Sequence, residues 1–436
     1  VNGAATLDGW AAARLGLAPP LDRAGFDAAR LERLNATIDR LRRASPFHRA
    51  RGLPGGRLAC LVELADLPLT RPADLVGGAP SFLAVSQSAV ARVVTLPTSG
   101  TTGPAKRIAF SSADREATLA FFAAGMGLFT GAGDRVGIFF SGERPGGIGD
   151  GLAEAVRRLG AEPLFVPAAP AEAAVAVLRA EAPTVLAGPP VAMLAAGRGA
   201  RADGGRPVTV RAVLASAEPL ADAVRSGLRR AFEGEVHEHW GMTEIGYGGG
   251  VDCAFHAGLH LREADLVVEV VDPATGRPLP EGEVGEIVVT TLHAEAMPLL
   301  RDATGDRGRI LPGACACGSI LRRLDPVVGR VDEGVAIAGV GRLTLTGLDE
   351  RLFGLDIVTD VGARLDDGDP PVLSVDVGMP AAWRGREALE AVRAALVADP
   401  TVGAALAAGR LRLALRAAET TCLPRSGKRR LEGSTS

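Results

Sequence analysis

A chain of 436 residues is too long for one ordinary core and implies two or three folded units. Its 47% hydrophobic content can fill those cores, while a net charge of −3 and a pI near 6.2 argue against a general nucleic-acid binder and leave a small polar partner. Apolar stretches such as Ala168 to Leu194 are interrupted by Glu, Arg and Pro, so no membrane span is expected. Five unevenly spread cysteines do not make a disulfide framework. No basic segment followed by an apolar run stands at Val1 to Trp10, so no signal peptide is read and a cytoplasmic setting is expected.

From Phe26 to Ser45 the apolar residues Leu31, Leu34, Ile38 and Leu41 follow the three-four spacing of one helical face, and Pro46 ends the run. An extended run, Ala91 to Leu96, then leads into Thr98-Ser99-Gly100-Thr101-Thr102-Gly103-Pro104-Ala105-Lys106. Glycines let a backbone turn its N–H groups toward an anion, hydroxyls add neutral donors, and a lysine adds a mobile charge, so this loop suits phosphate. It is not a Walker A loop, because the Gly-x-x-x-x-Gly-Lys-Ser/Thr spacing is absent. Of 48 basic residues only Lys106 and Lys428 are lysines, and both stand beside glycine-containing loops. A bias toward arginine removes lysine wherever the two are interchangeable, which marks both survivors as candidates for positions needing a slim ammonium group.

Beyond the loop, extended and helical segments alternate: Arg135 to Phe140, Gly151 to Leu159, Glu162 to Val166, Ala171 to Ala180, Thr184 to Ala187, Arg211 to Ala215 and Leu220 to Phe232. Such alternation predicts a sheet covered by helices, with ligand-binding loops at the strand ends. Ser216-Ala217-Glu218-Pro219 and His239-Trp240-Gly241-Met242-Thr243-Glu244 are two such loops. Leu266 to Val271 and Gly285 to Thr291 read as a hairpin, and Arg301 to Gly308 and Gly329 to Asp332 as polar, glycine-rich segments. A small α+β domain with a ferredoxin-like order of elements is expected from about residue 333 onward.

Taken in order, TSGTTGPAK, SAEP, HWGMTE, ATGD, GRVD and the late SGK resemble the motifs of the adenylate-forming acyl-CoA synthetase superfamily, and of its phenylacetate-CoA ligase branch in particular. The resemblance covers nearly the whole chain. It implies an α/β fold: a large N-terminal domain, 1–331, of helix-covered β-sheets with a small β-barrel-like portion, and a small mobile α+β C-terminal domain, 332–436, hinged near Asp332. The implied reaction is attack of a carboxylate on ATP to give acyl-AMP, then attack of the CoA thiol.

By that resemblance Ser99, Gly100, Thr101, Thr102, Gly103 and Lys106 hold the β- and γ-phosphates, Thr243 donates to the α-phosphate and Glu244 binds Mg²⁺. Ala217, Glu218, Pro219, Trp240, Gly241 and Met242 line the adenine side, Trp240 standing where the family usually has tyrosine. Asp306 accepts the ribose hydroxyls, Arg330 reaches the ribose or phosphate side, and Lys428 bridges the substrate carboxylate and α-phosphate during adenylation. Cys-x-Cys is tighter than the usual zinc spacer, and spacing alone leaves the metal open. The branch's Cys…Gly-Leu-His and Cys-x-Cys-Gly elements, matched here by Cys253, Gly258-Leu259-His260 and Cys315-Ala316-Cys317-Gly318, imply a structural zinc on Cys253, His260, Cys315 and Cys317, with His256 in reserve.

Two segments depart from the branch. Its Arg-Tyr-Arg-Thr-Gly-Asp is Arg301-Asp302-Ala303-Thr304-Gly305-Asp306 here, and its Arg-Gly-Val-Asn-Val-Phe-Pro is replaced by Ala338-Gly339-Val340-Gly341-Arg342. The second change leaves adenylation better supported than CoA transfer. The expected partners are an aromatic or similarly apolar acid, ATP and CoA, with no nucleic acid or membrane and with a homodimer compatible. An adenylyltransferase that stops at AMP transfer and a non-catalytic nucleotide binder are the competing readings.

Overall fold

The computed structural model describes residues 6–76, 78–96, 105–325, 329–331, 334–418, 420, 422 and 429–433. The expected site residues Ser99, Gly100, Thr101, Thr102, Gly103 and Lys428, and the hinge position Asp332, lie outside the described residues. The chain divides into two compact units, Val1–Phe129 with His239–Val331 and Thr130–Glu238 with Asp332–Ser436.

The first unit opens on helices. In Arg23–Ala44 the Asp22 side chain accepts from the Gly25 N–H at 2.8 Å, closing the first turn, and Phe26, Leu34, Ile38 and Leu41 form the buried face. The periodicity predicted this helix to within a turn. Helix Ser112–Met126, which the sequence reading did not single out, starts on a reciprocal cap between Ser111 and Asp114. Strands Leu266–Val271, Gly285–Thr291 and Asp302–Gly308 form an antiparallel sheet in that order. The last of these was expected only as a polar, glycine-rich segment. Its polar residues are tolerated because Thr304 donates to the Ile287 carbonyl at 2.8 Å and Glu286 accepts from the Gly305 N–H at 3.2 Å.

Two buried carboxylates brace this unit. Glu263 takes Arg23, Arg30 and Arg322; Asp265 takes Arg262, Arg14 and His293. Burial opposes ionisation of each, yet the guanidinium groups outweigh it and hold both carboxyls far below the usual range.

In the second unit the strands Ala212–Ala215, Val185–Gly188, Arg135–Ile138 and Glu162–Phe165 lie parallel in that order, with Glu235–Glu238 beside the first. Helices Ile148–Arg158, Ala171–Glu181, Pro190–Ala202 and Asp222–Phe232 follow its strands. Val185–Gly188 and Ala212–Ala215 are buried at every position, as strands covered on both faces must be. The C-terminal part has a four-stranded sheet in the order Arg412–Ala417, Val372–Gly378, Asp360–Asp366, Leu431–Gly433, whose outer pairs are parallel.

The expected chain order of strand, helix, two strands, helix and strand is observed, but the first of these strands stays out of the main sheet. Gly341–Leu343 pairs with Val335–Ile337 in a separate hairpin across Ala338 to Val340, where Gly339 takes φ 68°, and so does not enter the main sheet. The two parts of this unit share one apolar core: Leu194, Leu228 and Phe232 belong with Leu348, Leu352 and Phe353. Arg198, buried between them, donates to the Phe353 carbonyl at 2.7 Å and to the Val358 carbonyl. No helix among the described residues is long and apolar enough to cross a membrane.

Candidate active site and cysteine cluster

The HWGMTE segment begins at the end of strand Glu235–Trp240 and passes into a single short turn, Thr243–Ile245. Gly241 is required there, because a Cβ would collide with the Tyr247 carbonyl. The turn carries Glu244 to Lys106, the first residue of strand Lys106–Phe110, with Nζ 3.5 Å from Oε1. Both side chains are largely enclosed.

Trp240 is 6% exposed and belongs to the apolar core of its unit, with Gly249 making room for its ring. Its indole Nε1 donates to Asp306 Oδ2 at 3.1 Å. Arg330 donates to the other oxygen, Oδ1, at 2.7 Å and to the Thr304 carbonyl at 3.1 Å. Asp306 is therefore held from both sides, with lone pairs to spare on each oxygen. Gly305 at φ 76° is what lets the Arg330 guanidinium pass close to the strand. The indole ring is enclosed, and its N–H makes the polar contact to Asp306.

Beneath this group lies a residue that sequence reasoning noted only as a departure. Asp302 is wholly buried, and neither carboxylate oxygen has a hydrogen-bond partner among the described residues. Burial, with Glu244 adding to it, pushes its carboxyl well above the usual range, and Lys106 opposes both. Arg301, equally unremarked, is buried and donates to the carbonyls of Ala65, Leu67 and Gly276 and to Glu269, tying three segments to the strand that carries Asp306. In the sequence it stands out only as the arginine that heads the Arg301-to-Asp306 segment.

Within the second unit, Ala217, Glu218 and Pro219 follow strand Ala212–Ala215. Ala217 takes φ 76°, a strained value for a residue with a Cβ and of a kind concentrated at ligand clamps.

A separate cluster brings Cys253, His260, Cys315 and Cys317 together, their candidate ligand atoms all within 4.8 Å of one another. Cys253 Sγ lies 3.8 Å from Cys315 Sγ, and Cys317 Sγ 3.3 Å from His260 Nε2. No disulfide joins them. Burial pushes the Cys253 thiol up to about 12. His256 is not part of the group; its Nδ1 pairs with Asp252 at 2.5 Å.

The chain's relatives accord with this layout. A model of AMP-binding enzymes matches residues 84–294. The phenylacetate-coenzyme A ligase of Thermus thermophilus is 30% identical over 378 residues, which cover 83% of each chain. The chain belongs to the phenylacetate-coenzyme A ligase family. The Pseudomonas putida member is also 30% identical, over 79% of this chain and 80% of its own. The fold matches that of 2-hydroxyisobutyryl-CoA ligase, solved with an acyl-adenylate in the postadenylation state, at a TM-score of 0.78, with 22% identity and coverage of 97% and 94% of the two chains. Lys106, Thr243 and Glu244 and the Trp240, Asp306 and Arg330 trio all fall in the first unit of this family member.

Proposed function

We propose that this chain is an AMP-forming acid–CoA ligase, which joins an aromatic or similarly apolar carboxylic acid to AMP with release of pyrophosphate and then passes the acyl group to CoA. The observation that carries this reading is the pairing of Lys106 with Glu244 in the unit where Asp306 is gripped by Trp240 and Arg330. A polyanion needs the first pair and a ribose diol the second.

In this reading Ser99, Gly100, Thr101, Thr102, Gly103 and Lys106 hold the terminal phosphates, and Thr243 donates to the α-phosphate. Glu244 provides a hard oxygen donor suited to Mg²⁺, which when bound neutralises phosphate charge. Ala217, Glu218, Pro219, Trp240, Gly241 and Met242 serve the adenine side, Asp306 the ribose, and Arg330 orients Asp306. Lys428 meets the reacting carboxylate and is withdrawn before the thiol arrives, by motion of residues 332–436. Such a reaction among soluble substrates suits the cytoplasm.

The cysteine cluster fits a structural zinc. Two thiolates about 2.3 Å from one tetrahedral ion lie about 3.8 Å apart, and a thiolate and an imidazole about 3.5 Å apart. The observed 3.8 and 3.3 Å agree with this, and three sulfurs with one nitrogen are a common zinc donor set. With all four positions taken by protein, the ion would staple loops and would not activate water.

Pyrophosphate release with a panel of acids, with and without CoA, tests the function. CoA-dependent AMP formation with an apolar acid is expected. Pyrophosphate release without thioester would remove the second half of the reading, and silence with every acid would remove both.

A further inference from the structure

Asp302 is a buried acid on the strand that also carries Asp306. It is fully enclosed, and both oxygens are without a hydrogen bond among the described residues. It cannot easily turn away. Its strand pairs Asp302 with Val289, a bridge ties it to Thr70 on the other side, and the next residue, Ala303, donates to the Thr70 carbonyl at 2.8 Å.

The charged groups that act on it are Glu244, Lys106, Glu286 and Asp74. Two of these acids are already engaged: Glu286 accepts from Gly305 and Arg71, and Asp74 from the Arg71 N–H and Arg51. Among the described residues, Lys106 is the cation that acts on both Asp302 and Glu244. Lys106 is already paired with Glu244, which leaves the charge that an ionised Asp302 would carry without a partner. A divalent cation would supply one. Magnesium in particular is usually held by one or two carboxylates together with substrate phosphates, and retains waters for the rest of its shell.

We propose that Asp302 is a second carboxylate ligand, beside Glu244, for the divalent cation that accompanies the nucleotide. The proposal rests on the reading of Glu244 given above and adds a residue in the position where the family pattern has a tyrosine. A phenol in that position would be neutral, so this chain would carry one more negative charge toward the metal and grip it more tightly before nucleotide arrives.

Mn²⁺ serves as the probe, with free ion followed by electron paramagnetic resonance and the full-length protein titrated with and without a non-hydrolysable ATP analogue. Asp302→Asn, which keeps the shape and removes the charge, is expected to weaken nucleotide-free Mn²⁺ binding at least tenfold, as Glu244→Gln does. Binding by Asp302→Asn within threefold of wild type, with Glu244→Gln impaired, would overturn the proposal and leave the Glu244 reading standing. Unchanged binding in both variants would overturn both.

Should Asp302→Asn fail to fold, the wild-type protein decides the matter. Fe²⁺ bound in place of Mg²⁺, with ascorbate and peroxide, cuts the backbone close to the ion. Cuts near both 244 and 302 are expected, whereas cuts near 244 without any near 302 would count against Asp302.

Discussion

In the cluster of Cys253, His260, Cys315 and Cys317 the candidate ligand atoms converge on one another, while the group around Glu244 combines a paired acid with one, Asp302, that has no hydrogen-bond partner among the described residues. The first is drawn wholly from this chain: four candidate donors lie within 4.8 Å of one another, with Cys253 and Cys315 3.8 Å apart and Cys317 and His260 3.3 Å apart. The second is not closed among the described residues: Asp302 is unbonded, and Lys106 donates to Glu244 at the long limit of a hydrogen bond. A closed polar cluster stabilises the fold. An open one spends stability on readiness for a ligand, the usual condition of a catalytic site.

The largest effect should come from the closed cluster. Cys315→Ser, or exhaustive chelation, should destabilise the first unit by about 3–5 kcal/mol or unfold it, because binding free energy at a structural zinc site is folding free energy. Native mass spectrometry should find one zinc per chain. Metal-free protein with an unaltered Tm would show that the cluster is a set of reduced thiols and would erase the contrast between the two sites.

At the open site, Lys428→Ala should lower acyl-AMP formation by about 10²–10³-fold, the range for removing one charge-stabilising donor, with thioester formation from supplied acyl-AMP retained. Equal loss of both half-reactions would mean that Lys428 supports the structure and not the first chemical step. The Tm should stay within a few degrees of wild type, unlike that of Cys315→Ser.

How much of this could be read from the sequence follows from range. The strands Leu266–Val271 and Gly285–Thr291 were expected with the bounds observed, because β-branched residues and a Pro-Ala-Thr-Gly turn are local signals. The grouping of 130–238 with the C-terminal segment was not, since packing of Leu194 and Phe232 with Leu348 and Phe353 is decided by contacts more than a hundred residues apart. In the candidate site and the cysteine cluster, Glu244, Asp306 and the cysteines with His260 were legible as motifs. Asp302 and Arg301 were not: each owes its importance to complete burial, and a single aspartate or arginine carries no mark of burial in a sequence.

A pH challenge separates scaffold from site. Burial pushes His48 and His239 each down to about 4, from an ordinary value near 6.5. Between these values the unfolded chain binds protons that the folded chain refuses, so stability is fully present above about pH 6.5 and falls as pH drops toward 4. Each histidine contributes up to roughly 3 kcal/mol at about 1.4 kcal/mol per unit. Urea midpoints at pH 7, 5.5 and 4.5 should decline in that order, and a flat series would show that both rings protonate in the folded state.

The smallest effect tests the finest geometric claim, that Trp240 works through its N–H. Trp240→Phe keeps an aromatic ring against Gly249 and the surrounding core but removes the donor to Asp306 Oδ2. A hydrogen bond to a charged group contributes about 1.5–3 kcal/mol, and Arg330 continues to hold the other oxygen, so only the lower part of that range should be felt. The KM for ATP should rise about tenfold, with kcat within threefold of wild type. If Trp240 instead served chiefly as a stacking surface, phenylalanine would preserve most of that contact and the KM would hardly move. Pairing the change with Arg330→Gln sharpens the test. Two donors that jointly orient one carboxylate should cost more when lost together than the sum of the single losses, whereas two unrelated contacts should add.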